Sequence, residues 1–268
     1  MNRFQILFAE GKNKAFIPFF TIGDPGFEQS LMLVQNAVDA GCDALELGFP
    51  FSDPIADGPT NQRSMARALR GGMNFARGLE FLSRIRKRYP ELPIGLLLYY
   101  NLLFKQGEQA YQSLAEIGVD AIVIADLPLE EAGAHFKLLH KYEIGAVPMI
   151  APNADDARVK ALSRYTGAFN YVLSAFGTTG TKSEVAEETL LRIQKLRSLV
   201  NTPLVVGFGL SSVKHVLEVW QAGADGAIVG SLFTAMIEKN LNKLHDASHE
   251  ITSFIRQVKA QHALFRAS

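Results

Sequence analysis

The stretch Ile94-Gly-Leu-Leu-Leu-Tyr99 decides the fold. It has no polar side chain before its final tyrosine, so an extended segment here is apolar on both faces. Strands buried on both sides belong to parallel sheets covered by helices. Runs of the same kind recur at Ala15–Phe20, Ala44–Gly48, Ala121–Ala125, Gly145–Ile150, Asn170–Ser174, Pro203–Gly207 and Gly226–Val229. Amphipathic stretches such as Glu28–Ala40, Gly78–Tyr89 and Ser212–Ala222 separate them, each ending at or near Gly or Pro. Eight strand–helix units with no compositional break predict an α/β fold, a closed (β/α)8 or TIM barrel in one domain covering residues 1–268. An open doubly wound sheet is the alternative. The leading Met1–Glu10 segment reads as an extra N-terminal helix placed to plug the lower end of the barrel. The last residues read as a helix with a frayed tip.

The length, 268 residues, is what one such barrel uses. Lysine and arginine total 27 and aspartate and glutamate 27, a formal net charge of zero. A binder of nucleic acid or of an anionic membrane needs a basic excess, and this chain has none overall. The balance says nothing against a single phosphate in a local pocket. With 48% hydrophobic and 20% charged residues, the chain buries a large core and is not disordered. The lone cysteine, Cys42, can form neither an intramolecular disulfide nor a thiolate metal site by itself, and reads as a small apolar residue packed near a strand. The first apolar run breaks at Glu10, unlike a secretory signal, and runs such as Ile94 to Tyr100 are too short to span a bilayer. The expectation is a soluble, cytoplasmic protein.

Strand starts fall 23 to 29 residues apart, except that Ala44 to Ile94 spans 50 and Asn170 to Pro203 spans 33. The surplus follows the second and sixth strands. In a barrel both loops emerge at the C-terminal face, where active sites are built.

Glu46, in Ala44-Leu-Glu-Leu-Gly48, is the first candidate for chemistry. Burial of its carboxyl is costly unless it is paired or reaches a site, and raises its pKa toward neutrality, which suits general acid–base work. A structural glutamate paired with Arg or Lys fits the same position. Asp57, in Pro50-Phe-Ser-Asp-Pro-Ile-Ala-Asp-Gly-Pro59, is either a turn residue or a second carboxylate on the same rim. The strand carrying Glu46 feeds that loop, which favours the second reading. Gly177-Thr-Thr-Gly180, Gly207-Phe-Gly-Leu-Ser211 and Gly230-Ser231 follow strands six, seven and eight. Their small residues let backbone N–H groups approach an anion without Lys or Arg. The six histidines (135, 140, 215, 245, 249 and 262) lie on helical stretches without a His–carboxylate cluster at a strand end, and read as surface or helix-packing residues. Neither a Ser–His–Asp constellation nor a nucleotide-binding glycine fingerprint is evident.

At Leu45-Glu-Leu-Gly-Phe-Pro-Phe-Ser-Asp-Pro-Ile-Ala-Asp-Gly-Pro-Thr60 the sequence closely resembles the α subunits of tryptophan synthase. The resemblance continues through Phe19-Phe-Thr-Ile-Gly-Asp-Pro25, Ala125-Asp-Leu-Pro128, Gly207-Phe-Gly209 and Gly230-Ser231, and covers essentially the whole chain. It implies a carbon–carbon lyase of tryptophan biosynthesis that splits indole-3-glycerol phosphate into indole and glyceraldehyde 3-phosphate by a retro-aldol reaction. By resemblance, Glu46 is the general acid–base. Asp57 is the carboxylate that meets the indole N–H, and Thr179 the loop threonine that meets Asp57 on closure. Gly180, Gly209, Gly230 and Ser231 form the phosphate cradle. Phe19, Leu97, Tyr171 and Phe208 wall the indole, with Tyr171 also able to position Glu46. The chemistry agrees: cleaving the bond requires C3 to gain a proton and the hydroxyl to lose one beside an apolar slot, and such groups each contribute about 10² to 10⁴-fold.

Three positions depart from the family pattern. Ala175 replaces the usual Arg and Thr178 the usual Val after strand six, and Asn61 sits where an apolar residue commonly follows Pro-Thr. The resemblance further implies an α2β2 heterotetramer, docking through the C-terminal rim (the loop after strand two, Asn101, Phe104 and Pro128-Leu129) on a β subunit that carries pyridoxal phosphate and receives indole through a tunnel. No cofactor or metal is expected on this chain. Two competing readings are a different phosphate-binding barrel, such as a sugar-phosphate epimerase or isomerase, and a catalytically degenerate scaffold that activates its partner. The Glu46/Asp57 loop argues against the first, and the altered segment after strand six permits the second.

Overall fold

The computed structural model describes residues 2–9, 14–174 and 185–267, with side chains to residue 263. Its strands are β1 (Ala15–Thr21), β2 (Leu45–Gly48), β3 (Ile94–Leu98), β4 (Ala121–Ile124), β5 (Gly145–Ala146), β6 (Met149–Ile150), β7 (Asn170–Leu173), β8 (Leu204–Gly207) and β9 (Gly226–Val229). Every pairing is parallel, in the order β5-β4-β3-β2-β1-β9-β8-β7-β6. The two ends of this order are halves of the single run expected at Gly145–Ile150, so the sheet closes on itself. Pro148, which has no N–H, marks the crossing. Val147 N still donates to Ile122 O (3.1 Å) toward β4, whereas Pro148 O accepts from Tyr171 N (2.9 Å) toward β7. The closed barrel replaces the open-sheet alternative.

Strand residues alternate between two apolar environments. Ala15, Ile17, Phe19, Leu97, Val123, Tyr171, Val205 and Ile228 fill the interior. Phe16, Phe20, Leu45, Leu47, Leu96, Leu98 and Ile122 face the helical shell. The expected N-terminal helix, Arg3–Phe8, sits at the bottom, where Phe4 packs edge-on against Phe169 at 5.2 Å and joins the interior cluster. Helix limits move by a few residues from expectation: Phe27–Asp39, Phe75–Arg88 and Val213–Gln221. The surplus after the second strand folds into an additional helix, Pro59–Arg70. Cys42 is buried beside β2 as expected, and burial pushes its thiol pKa up. Among the described residues no helix is long and apolar enough to cross a membrane.

A device at the bottom rim escapes a reading made strand by strand. Gly-x-Asp precedes three strands, as Gly41-Cys-Asp43, Gly118-Val-Asp120 and Gly223-Ala-Asp225. Gly118 ends its helix in the left-handed conformation (φ 89°, ψ 37°), which a side chain resists, and Gly41 and Gly223 also have positive φ. Each aspartate then closes a two-bond ring with the first residues of the neighbouring strand. Its N–H donates to the carbonyl of Phe16, Ile94 or Leu204 (3.0, 3.0 and 2.7 Å). Its carboxylate accepts the N–H of that same residue (2.8, 2.9 and 2.8 Å). A cation completes each clamp: Lys259 on Asp43, Arg86 and Arg3 on Asp120, and Arg197 on Asp225.

Asp120 is the most deeply buried of the three carboxylates, and Arg86 beside it also bonds the carbonyls of Tyr89, Pro90, Leu92 and Gly118. Removing one partner of a buried ion pair strands the other charge. Asp120→Ala should therefore destabilise the protein by about 3 to 5 kcal/mol in urea denaturation. A loss below about 1 kcal/mol would show that the clamp does not hold the rim.

Candidate active site

The register set at the bottom determines what meets at the top. Asp43 faces Phe16, so three residues further on Glu46 faces Phe19. Leu45 and Leu47 point to the helical shell, which leaves Glu46 pointing inward. Its side chain opens into a recess lined by Phe19, Asp57, Leu97, Tyr171, Phe208 and Ile228, with Asn61, Gly209, Gly230 and Ser231 around the mouth. Ten of the positions expected from sequence, the Asn61 departure included, therefore converge here. Thr179 and Gly180, with the departures Ala175 and Thr178, lie outside the described residues.

Glu46 is 3% exposed, and among the described residues no cation pairs with it. The ion-pair reading of this residue is thus not met among the described residues. Burial, first, and the neighbouring Asp57 charge, second, push its pKa up to about 8, against a hydrogen bond from the Tyr171 hydroxyl that favours the charged form. A carboxyl in this condition is a neutral acid at pH 7. Tyr171 reaches it because Gly207 has no side chain: a Cβ there would lie 2.2 Å from the Tyr171 hydroxyl.

Asp57 is 8% exposed, and burial raises its pKa too. Two donors work against that shift. The Tyr99 hydroxyl donates to Oδ2 at 2.6 Å and Asn61 Nδ2 to Oδ1 at 3.1 Å. The Asp57 backbone makes the expected turn, its N–H donating to Pro54 O, while its carboxylate serves the recess. Tyr99 is the site residue that sequence reasoning missed. It follows Leu97 by two positions, the parity that points inward, and its hydroxyl also accepts the Ala56 N–H (3.0 Å) while its ring stacks on Phe51 at 4.9 Å.

The end of the recess that the resemblance assigns to phosphate is built of backbone and small residues. Phe208 and Gly209 both have positive φ (71° and 75°), a conformation rare for phenylalanine, and Ser174 Oγ donates to Phe208 O at 2.7 Å. The turn lays Phe208 edge-on to Tyr171 at 5.9 Å. Helix Val213–Gln221 is capped by its own Ser212 side chain. Helix Ser231–Lys239 starts at Gly230 with no side-chain cap, so its first N–H groups remain available to an anion. Helix Pro59–Arg70 is tied to the same region: Arg67 bonds both carboxylate oxygens of buried Asp24 and reaches Glu238 on helix Ser231–Lys239, all at 2.8 Å. His135 and His215 are buried on helices outside the recess, and burial pushes His135 down to about 4.

An eight-unit parallel barrel with two unlike carboxyls at its C-terminal rim, an apolar slot between them and an open helix N-terminus beside it defines a barrel enzyme for acid–base chemistry on an apolar, anionic substrate. Comparison with known proteins narrows the class. A family profile for the tryptophan synthase alpha chain matches residues 5–263. The tryptophan synthase alpha chains of Salmonella typhimurium and Salmonella typhi are each 41% identical over 264 residues, covering 97% of this chain and 98% of theirs. The chain belongs to the tryptophan synthase alpha chain family, whose members are lyases that cleave indole-3-glycerol phosphate. Among solved structures, a protein from Aquifex aeolicus superposes with a TM-score of 0.86 at 31% identity, covering 97% of this chain and 98% of that one. A chain of the Pyrococcus furiosus tryptophan synthase α2β2 complex gives 0.83 at 30%, covering 92% and 98%.

The burial of Glu46 makes a prediction independent of turnover. Because its folded pKa lies above the unfolded value, the folded state holds the proton more tightly, and that contribution to stability is lost as pH rises from about 5 to about 8. Wild type should lose stability relative to Glu46→Gln across this window in chemical denaturation, and the two should run parallel below it. Parallel curves throughout would remove the buried neutral acid.

Proposed function

We propose that Glu46 and Asp57 divide the cleavage of indole-3-glycerol phosphate between them. The observation that carries this reading is that two buried carboxyls share one recess in unlike surroundings, Glu46 with the Tyr171 hydroxyl as its one side-chain donor among the described residues and Asp57 held by both Tyr99 and Asn61. Neutral Glu46 gives its proton to indole C3. The positive charge that develops on the ring is met at the N–H by ionised Asp57. Glu46, now a carboxylate, takes the proton of the glycerol hydroxyl as the C3–C bond breaks and the aldehyde forms. The proton count closes on one residue, and no metal is required by this sequence of steps. Phe19, Leu97, Tyr171 and Phe208 hold the ring. Gly209, Gly230 and Ser231 offer the phosphate backbone N–H groups, with Gly180 assigned to the same end, and Thr179 to Asp57, by resemblance alone.

The partner is a tryptophan synthase β subunit, in an α2β2 assembly like the one named for the Pyrococcus furiosus structure. Ile55 (81% exposed) and Phe104 (71% exposed) stand on the C-terminal rim where that contact belongs. In the same reading, residues 1–268 act as one barrel domain and the enzyme works in the cytoplasm.

Glu46→Gln should lower steady-state indole release by at least about 10²-fold, with and without β subunit, and keep the native circular dichroism spectrum. Near-native turnover in the folded variant would overturn the assignment. Size-exclusion of the chain mixed with β subunit at micromolar concentration should give a larger complex, and separate elution of the two would count against the partner.

A further inference from the structure

Asn61 lies four residues beyond Asp57, in the first turn of helix Pro59–Arg70, and lines the recess. Its amide can be oriented only one way. Nδ2 faces Asp57 Oδ1 at 3.1 Å, and the reverse placement would set two acceptor oxygens against each other. The amide oxygen is therefore held away from Asp57. It is closed off from solvent, and no donor among the described residues reaches it. Folded proteins rarely leave a buried acceptor without a donor, because the group has given up its water for nothing in return. In a ligand recess, such an oxygen marks where the ligand can supply the donor.

We infer that Asn61 is a specificity and positioning residue of this site: its nitrogen fixes the Asp57 carboxylate, and its oxygen accepts a hydrogen bond from a hydroxyl or amino group on the indole edge beside the ring N–H. The inference rests on the proposed docking, in which Asp57 takes that N–H. Asn61 is bonded to the same carboxylate, so its oxygen lies near the same edge of the ring. On an indole the benzo carbon nearest the N–H is C7. A 7-hydroxyindole therefore offers two neighbouring donors to the Asn61/Asp57 pair, where indole offers one and 5-hydroxyindole directs its second donor elsewhere.

The test is calorimetric binding of indole, 7-hydroxyindole and 5-hydroxyindole to the full chain as wild type, Asn61→Leu and Asn61→Ala. Thermal melts establish that each variant is folded, and the smaller alanine covers the case in which leucine does not fit. Wild type should prefer 7-hydroxyindole over indole by about three- to tenfold, the range of one added hydrogen bond, and both variants should lose that preference. The 5-hydroxy compound should gain nothing in any of the three. Asn61→Leu should also move the acidic limb of kcat/KM to higher pH, because the lost bond favours ionised Asp57. An unchanged 7-hydroxyindole preference in the variants, an equal gain for 5-hydroxyindole, or an unmoved acidic limb would overturn the inference. If indole itself binds and Glu46-dependent turnover persists in that case, the proposed reaction stands. If wild type neither binds indole nor releases it, both fall.

Discussion

The structure hangs on a hydrogen-bonded ring repeated three times at the bottom of the barrel. An aspartate just before a strand takes the N–H of the strand beside it and gives its own N–H to the same residue's carbonyl. A parallel strand pair slipped by one residue would turn every side chain to the wrong face. The clamp at Asp43 and Phe16 forbids that slip for β1 and β2, and three residues later the consequence is chemical, because Glu46 is delivered to the barrel interior opposite Phe19. The cations on these aspartates are themselves fixed by backbone carbonyls, as Arg86 and Arg197 show. The charge of the lower rim is thereby spent on register, and the upper rim is left free for reactivity.

At the top the same residue type is treated in the opposite manner. Asp24 accepts from Nε and Nη2 of Arg67 and from the Ser64 hydroxyl, an arrangement that holds the carboxylate in place. Glu46 receives no cation among the described residues, and burial raises its pKa to about 8. Asp57 lies between these extremes, held by two neutral donors. Burial raises the pKa of both carboxyls in the recess, and two neutral donors oppose the shift at Asp57 where one does so at Glu46.

Much of this was legible in the sequence, for a physical reason. Strands buried on both faces must be apolar throughout, so Ile94–Leu98 or Ala121–Ile124 cannot be read as anything exposed, and a glutamate inside such a strand stands out. Asp57 was harder, since Asp-Gly-Pro forms turns whether or not the carboxylate does anything else, and its backbone does make the turn. Tyr99 was hidden by being ordinary: an aromatic at a strand end is core material until its hydroxyl is seen 2.6 Å from Asp57. The split of the fifth strand at Pro148 depends on which neighbour each half pairs with, a long-range fact that local composition does not carry. Gly-x-Asp was present three times, yet each copy alone is only a turn signal.

The two ends of the substrate recess are also mechanically joined. Asp57 leads directly into helix Pro59–Arg70, and the uncapped helix Ser231–Lys239 begins at the recess. Arg63 and Arg67 on the first helix grip Glu238 near the end of the second, and Arg67 continues to Asp24 after β1. A ligand that fills the backbone N–H cradle acts on the beginning of a helix whose end is bonded to the helix carrying Asn61. The contact that orients Asp57 and the uncapped helix start at the recess therefore belong to one packed unit, joined by the arginine pair on Glu238.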